Sequence, residues 1–212
     1  MYIKGKRCAG CLLIMFLAVI CVGCGSYQVD DTPRMPETES EKEIEVLDAK
    51  DILVTVWNEY EPSDTDGNPN NNRFEVMGGH FDSCNIGEPE KYDLTKTYDL
   101  VQMYCVQEGN VLELDDVATM VDLYNASKFT ASAIHVTDAS KVSGIIEGIR
   151  TQVISNQWHS DKPEKLVIIQ VKDQYVVSVF GDNSLVSEFQ EILEEIYRKA
   201  AKVVVEEKLP LE

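Results

Sequence analysis

The N-terminal segment most narrowly limits what this chain can fold into, because it cannot contribute to a packed core. It begins with Lys4, Lys6 and Arg7 and carries no acid, and an apolar run follows over residues 8–22. A basic start, a short apolar run and a small residue before a break are the parts of a secretory signal. A membrane-spanning helix needs about 20 apolar residues, so this run is short for that role. We therefore expect residues 1–23 to be a signal peptide.

The end of the apolar run resembles the lipobox of bacterial lipoproteins. In that motif a small residue precedes a cysteine that is lipidated and becomes the mature N-terminus, and Gly23-Cys24 fits it. Cys21 departs from it, because an aliphatic residue usually stands there. The resemblance implies that acyl chains on Cys24 attach the protein to a membrane, which two chains do firmly. An uncleaved anchor helix and plain secretion are the alternatives, and all three place the rest of the chain outside the cytoplasm.

The residues after Cys24 read as a tether. Residues 24–43 combine the lipidated cysteine with a linker that is rich in acids, contains prolines and has almost no apolar side chains. Such a segment buries too little surface to offset its ordering entropy, so we expect a disordered stalk. Residues 44–207 then remain for a single domain, which is enough for a proper core. Residues 208–212 are a tail.

The charge of the chain excludes one class of partner. It has 19 basic and 37 acidic residues, and its formal net charge is −18. Such a charge repels nucleic acid and anionic lipid headgroups alike. We therefore expect no nucleic-acid partner and membrane attachment through lipid alone.

Apolar periodicity predicts an α+β domain. Helices are predicted over residues 48–60, 95–106, 114–124, 138–155 and 185–196. Strands are predicted over 73–77, 130–136, 165–171 and 174–180. This order favours an antiparallel sheet of about four strands with helices packed mainly on one face.

The loop over residues 64–75 has the oxygen spacing of a calcium loop. Asp64, Asp66, Asn68 and Glu75 stand at the first, third, fifth and twelfth positions of an EF-hand frame. The sixth position must be glycine for the sharp turn, but Pro69 stands there and its φ is fixed. We interpret the segment as a solvated loop and keep a nonstandard Ca²⁺ site as the alternative. No other cofactor is expected.

Two cysteines remain after the signal and the lipidated position. Outside the cytoplasm, Cys84 and Cys105 could form a disulfide, remain two ordinary thiols, or include one reactive thiol. A second hypothesis for function is therefore an extracytoplasmic hydrolase that uses Cys84 with His80 or His159 as its base. No known nucleophile motif surrounds Cys84.

The segment "NQWHSDKP" is the most distinctive surface candidate for binding. Trp158 and His159 follow a predicted helix. Trp158 either plugs the core beneath the loop or serves as an aromatic anchor for a glycan or a protein partner.

Part of the chain resembles a group of uncharacterised surface lipoproteins of clostridial gut bacteria. The turn "NASKFTA", the pair Gln157-Trp158 and the strand "YVVS" carry the resemblance, which covers residues 116–181. Relatives often have Cys and Gly just after the Trp, where this chain has His159, Ser160 and Asp161. The resemblance implies a lipid-anchored protein of a Gram-positive surface and supplies no activity. We therefore expect a non-enzymatic extracytoplasmic domain that binds or scaffolds an envelope protein or glycan.

Overall fold

A computed structural model of the chain describes residues 45–59, 74–158 and 161–210. Its α-helices are α1 (Ala49–Glu59), α2 (Thr97–Gln102), α3 (Val142–Ser155) and α4 (Asn183–Tyr197). Its strands are β1 (Val76–Gly78), β2 (Asn85–Ile86), β3 (Glu90–Lys91), β4 (Leu114–Asp122), β5 (Phe129–Val136), β6 (Lys165–Val171), β7 (Tyr175–Gly181) and β8 (Ala201–Lys208). Short 3₁₀ turns lie at Phe81–Ser83, Glu108–Glu113, Ala139–Lys141 and Arg198–Ala200.

The strands form one antiparallel sheet. Their order is β2-β1-β4-β5-β7-β6-β8, and β3 pairs with β4 beside β1. Every neighbouring pair is antiparallel. The predicted α+β class is confirmed. The predicted number of about four strands is wrong, because the sheet has eight strands in the described part of the chain.

The segment predicted as a helix over residues 114–124 is the strand β4. Val117 and Val121 pack into one core, whereas Ala118 and Met120 pack into another core on the opposite face of the sheet. A strand that is buried on both faces has apolar residues at successive positions and loses the alternation that marks a half-exposed strand. The apolar residues of β4 therefore fall at a spacing that resembles the period of a helix.

Helices cover both faces of the sheet, so the prediction of helices mainly on one face is also wrong. Helices α1 and α4 pack on the face that carries Phe129 and Val179. Helix α3, together with α2, covers the face that carries Ile134 and Phe180. The cause lies in the central strands. In β6 the four successive residues Leu166–Ile169 are all fully buried, and each face must be covered to remove them from water.

Among the described strands, β8 lies at the far edge of the sheet and pairs with β6 alone. Its register shifts between Ile168 and Ile169, which leaves a bulge in the pairing. Two ion pairs fasten it: Glu206 lies 2.9 Å from Lys165 Nζ, and Glu207 lies 2.6 Å from Arg150 Nε. Bulges and charged side chains are common protections of an edge strand.

A polar network fastens the start of α1 to the sheet. Asp48 caps the helix, because its Oδ1 accepts the backbone N–H of Asp51 at 2.8 Å. The ammonium of Lys91 lies 3.0 Å from Asp48 Oδ2 and 3.3 Å from Asp116 Oδ1, and the hydrogen bond to Asp48 raises the pKa of Lys91. The backbone N–H of Ala49 also donates to Asp116 Oδ2 at 2.7 Å. The first turn of α1 is therefore held by both β3 and β4.

We expect Asp48→Ala to lower the free energy of unfolding by about 1 kcal/mol, because the cap of α1 is lost. Asp48→Asn is the matched control. It keeps an oxygen that can accept from Asp51 and removes only the exposed ion pair with Lys91, so its effect should stay below about 0.5 kcal/mol. Urea unfolding followed by circular dichroism measures both variants. Equal losses in the two variants would contradict the capping role.

None of the helices in the described residues is both long enough and apolar enough to span a bilayer.

Candidate functional site

A polar cleft lies where the end of α2 meets the end of α3. Its volume is ≈ 230 Å³, and it is lined by Val101, Gln102, Cys105, Gln152, Ser155, Asn156 and Gln157. The lining is dominated by side-chain amides, with one hydroxyl and one thiol, and it contains no ionisable acid or base other than that thiol. Amides supply both N–H donors and carbonyl acceptors. The cleft can therefore form hydrogen bonds in both directions but offers no opposite charge.

The turn after α2 places Cys105 in this cleft. The helix predicted over 95–106 is short and ends at Gln102. Beyond it Cys105 adopts a left-handed conformation with φ of 56°, and the backbone N–H of Val106 donates to the carbonyl of Leu100 at 3.2 Å. Such a φ is uncommon outside glycine. This backbone turn buries the Cys105 side chain in the α3 face of the core.

Asn156, the residue that follows α3, connects the two walls of the cleft. Its Nδ2 lies 3.8 Å from Cys105 Sγ, within reach for a hydrogen bond to sulfur. Burial raises the pKa of the Cys105 thiol to about 12, and the bond from Asn156 opposes this shift only in part. The thiolate is the nucleophilic form of cysteine. Cys105 therefore stays protonated at neutral pH and is an unreactive lining group.

We predict that Cys105 reacts with iodoacetamide at pH 8 about a hundredfold or more slowly in the folded protein than in urea. The pKa of Cys105 in the folded protein, about 12, lies above its ordinary value of 9.0. The protonated thiol therefore contributes its full stability below pH 9, and this contribution is lost as the pH rises towards 12. Peptide-resolved mass spectrometry of the alkylated chain measures the rate at Cys105. Equal rates with and without urea would contradict the buried, protonated thiol.

The hydrolase hypothesis names His80 and His159 as candidate bases for Cys84. His80 is mostly buried, its Nδ1 accepts the backbone N–H of Asp82 at 3.1 Å, and its Nε2 lies 3.3 Å from the carboxylate of Asp99. Both ring nitrogens are therefore engaged. The other proposed base, His159, lies outside the described residues. Cys84 is a free, partly exposed cysteine.

The two domain cysteines are free in the structure. Cys84 and Cys105 both contact the α3 face of the core, where Cys105 is fully buried and Cys84 only partly. The disulfide between them stays a prediction.

Trp158 packs beside the cleft rather than lining it. Its ring lies 5.5 Å from the ring of Phe180, and its Nε1 donates to the carbonyl of Val153 at 3.4 Å. The side chain is partly buried against the core. These contacts agree with the core-plug interpretation. Because Gln157 of the cleft directly precedes it, Trp158 also fixes one wall of the site.

Most residues of the predicted calcium loop lie outside the described part of the chain, namely Asp64, Asp66 and Asn68. The predicted lipidation site, Cys24, lies outside it as well. Glu75 is described, and its Oε2 accepts the phenolic O–H of Tyr124 at 2.9 Å. Among residues 45–59, 74–158 and 161–210, no three acidic, histidine or cysteine side chains are grouped to hold a metal ion.

The cleft itself was missed at the sequence level, although one wall was visible there. Ser155, Asn156 and Gln157 stand in a row immediately before Trp158. Gln102 lies more than fifty positions earlier in the chain, and only the packing of α2 beside α3 brings it to them. No spacing rule relates these positions.

Comparisons with protein-family models, with curated proteins and with solved structures found no match.

Proposed function

We propose that this protein is a lipid-anchored extracytoplasmic domain that binds a component of the cell envelope through the cleft between α2 and α3. Acyl chains on Cys24 hold it at the membrane, and it binds without catalysing a reaction. The observation that carries the proposal is the lining of the cleft, in which side-chain amides and a protonated thiol converge.

The chemistry of the lining favours binding over catalysis. Amides neither donate nor accept protons in acid–base steps at neutral pH, and they are poor nucleophiles. The one group with nucleophilic potential, Cys105, is protonated by its burial. A recognition site needs a concave surface with a few convergent polar groups, and the cleft supplies both.

The sequence supports the anchored location. A surface lipoprotein has a signal peptide, then a lipidated cysteine, then a linker. The sequence has features of this kind in the same order: residues 1–23, Gly23-Cys24 and the acidic segment that follows. The resemblance of residues 116–181 to surface lipoproteins of Gram-positive bacteria points in the same direction.

The test is the intact mass of the protein extracted from its native membranes. We expect a mass that begins at Cys24 and includes acyl chains. Cys24→Ala should abolish the acylated species and release the protein from the membrane or leave its signal uncleaved. Protease treatment of intact cells should degrade the wild-type domain if it faces outside. A full-length mass without acyl chains, or a domain that is protected from the protease, would contradict the proposal.

A further inference from the structure

The lining of the cleft between α2 and α3 indicates which class of ligand it binds. This inference rests on the function proposed above and names the ligand of that same cleft. We propose that its ligand is an uncharged polyhydroxylated molecule, one sugar ring of a neutral glycan. Four properties of the cleft lead to this ligand class: its charge, its hydrogen-bonding groups, its size and its small apolar content.

The charge of the lining excludes ionic ligands. No carboxylate, ammonium or guanidinium stands among the lining residues. A charged ligand that enters such a site loses hydration without gaining a counter-charge, which is costly. An anion is in addition repelled by a chain whose formal net charge is −18.

The hydrogen-bonding groups of the lining match hydroxyls. Within the described part of the chain, no hydrogen bond occupies the side-chain amides of Gln102, Gln152 or Gln157. Each amide presents two donors and a carbonyl acceptor, and each sugar hydroxyl can donate and accept. The side-chain N–H of Asn156 donates to Cys105 Sγ, which leaves its carbonyl oxygen as an acceptor for the ligand. Several amides around one small space can therefore satisfy the successive hydroxyls of a single ring.

The size of the cleft favours one ring. Its volume of ≈ 230 Å³ lies below the roughly 300 Å³ at which pockets for whole drug-sized ligands begin. One pyranose ring with its hydroxyls suits that space, and the rest of the glycan extends into solvent.

The small apolar content of the lining argues against a peptide partner. Protein and peptide partners usually anchor through a large apolar or aromatic side chain in a matching pocket. Here only Val101 and the Cys105 thiol are apolar, and Trp158 is turned towards Phe180. A sugar, whose recognition depends mainly on directional hydrogen bonds, fits the lining better.

The experiment is a calorimetric titration of the protein, extracted from its native membranes in detergent, with two neutral disaccharides, maltose and the β-linked dimer of N-acetylglucosamine. Glucuronic acid and a blocked alanine tripeptide are the comparison ligands. Trp57→Phe leaves Trp158 as the sole tryptophan of the two, so its emission reports on the cleft. We expect at least one neutral sugar to bind and to change that emission.

The variants Gln102→Ala and Gln152→Ala, combined in one chain, remove two amides that face the cleft. We expect them to weaken sugar binding about tenfold. Thr151→Ala is the matched control, since Thr151 is an exposed neighbour on α3 that does not line the cleft, and it should leave the affinity unchanged. Circular dichroism confirms that each variant is folded.

Each other outcome overturns the inference. Binding of the tripeptide or of glucuronic acid in place of the neutral sugars overturns the ligand class. If neither neutral sugar gives a binding signal in the titration, or if sugar binding is unaffected by the double variant, the proposed site is overturned. The intact mass of the same preparation separates the two proposals, because an unacylated chain contradicts the anchored function whatever the titration shows.

Discussion

Phe180→Ala is expected to lower the free energy of unfolding by about 4 kcal/mol, within the range for deleting a buried phenylalanine. Phe180 is fully buried on β7, on the face that α3 covers. It pairs with Thr130 of β5 and Leu166 of β6, and its ring supports Trp158 at 5.5 Å. Its removal leaves a cavity that the surrounding strands cannot close. Because Trp158 loses its support, the wall of the cleft should loosen as well.

Urea unfolding, extrapolated linearly to water, measures the loss for Phe180→Ala. The emission of Trp158 in a Trp57→Phe background should also shift to the red as its surroundings become wetter. Phe81→Ala is the control, since Phe81 is 65% exposed and its removal should change stability by less than about 0.5 kcal/mol. A similar small loss in both variants would show that Phe180 does not fill the core as described.

Gly181→Ala is expected to cost about 3 kcal/mol, at the upper end of the usual range for overpacking. Gly181 ends β7 with φ of 150°, a conformation that side chains rarely adopt. A Cβ at this position would lie 2.1 Å from the carbonyl oxygen of Lys128 and 2.9 Å from the Cα of Phe129. Those are backbone atoms of the neighbouring strand region, so β5 and β7 would have to separate. The Lys128 carbonyl also accepts the N–H of Asp182 at 2.8 Å, and that bond would be lost.

Gly144→Ala is the matched control for this substitution. Gly144 lies in α3, and nothing stands within 4 Å of a Cβ built there. Because alanine is the better helix former, this change should raise the free energy of unfolding by up to about 1 kcal/mol. Thermal and urea unfolding of the two variants should therefore move in opposite directions. A Gly181→Ala protein as stable as the wild type would contradict the close approach of Lys128.

The second half of the domain was predictable because its local patterns agree with its packing. The stripe of α3 that includes Ile145, Ile149 and Val153 is the stripe that enters the core. Strands were predicted over residues 165–171 and 174–180, and β6 and β7 lie there with the turn of their hairpin at Lys172 and Asp173. A helix was predicted over residues 48–60, and α1 begins there with Asp48 as its cap. In each case a single segment carried its own signal.

The features that were missed depend on more than one segment. Strand β4 imitates a helix because two cores share its residues. Strand β8 is an edge strand in which three successive valines are followed by charged residues, so it lacks the apolar alternation of a half-buried strand. The cleft needs Gln102 from α2 beside Gln152 from α3, and a sequence gives no direct sign of such convergence.

The attachment of α1 has a consequence for how the domain folds. The N–H of Ala49 at the start of α1 bonds to Asp116, which is 67 positions later in the chain, and the apolar face of α1 packs on β4 and β5. During synthesis, α1 therefore emerges long before the sheet surface on which it packs. Contacts between distant segments slow folding, because a long loop must close before they form. Until β5 has been synthesised, the apolar face of α1 has no complete sheet surface to pack on.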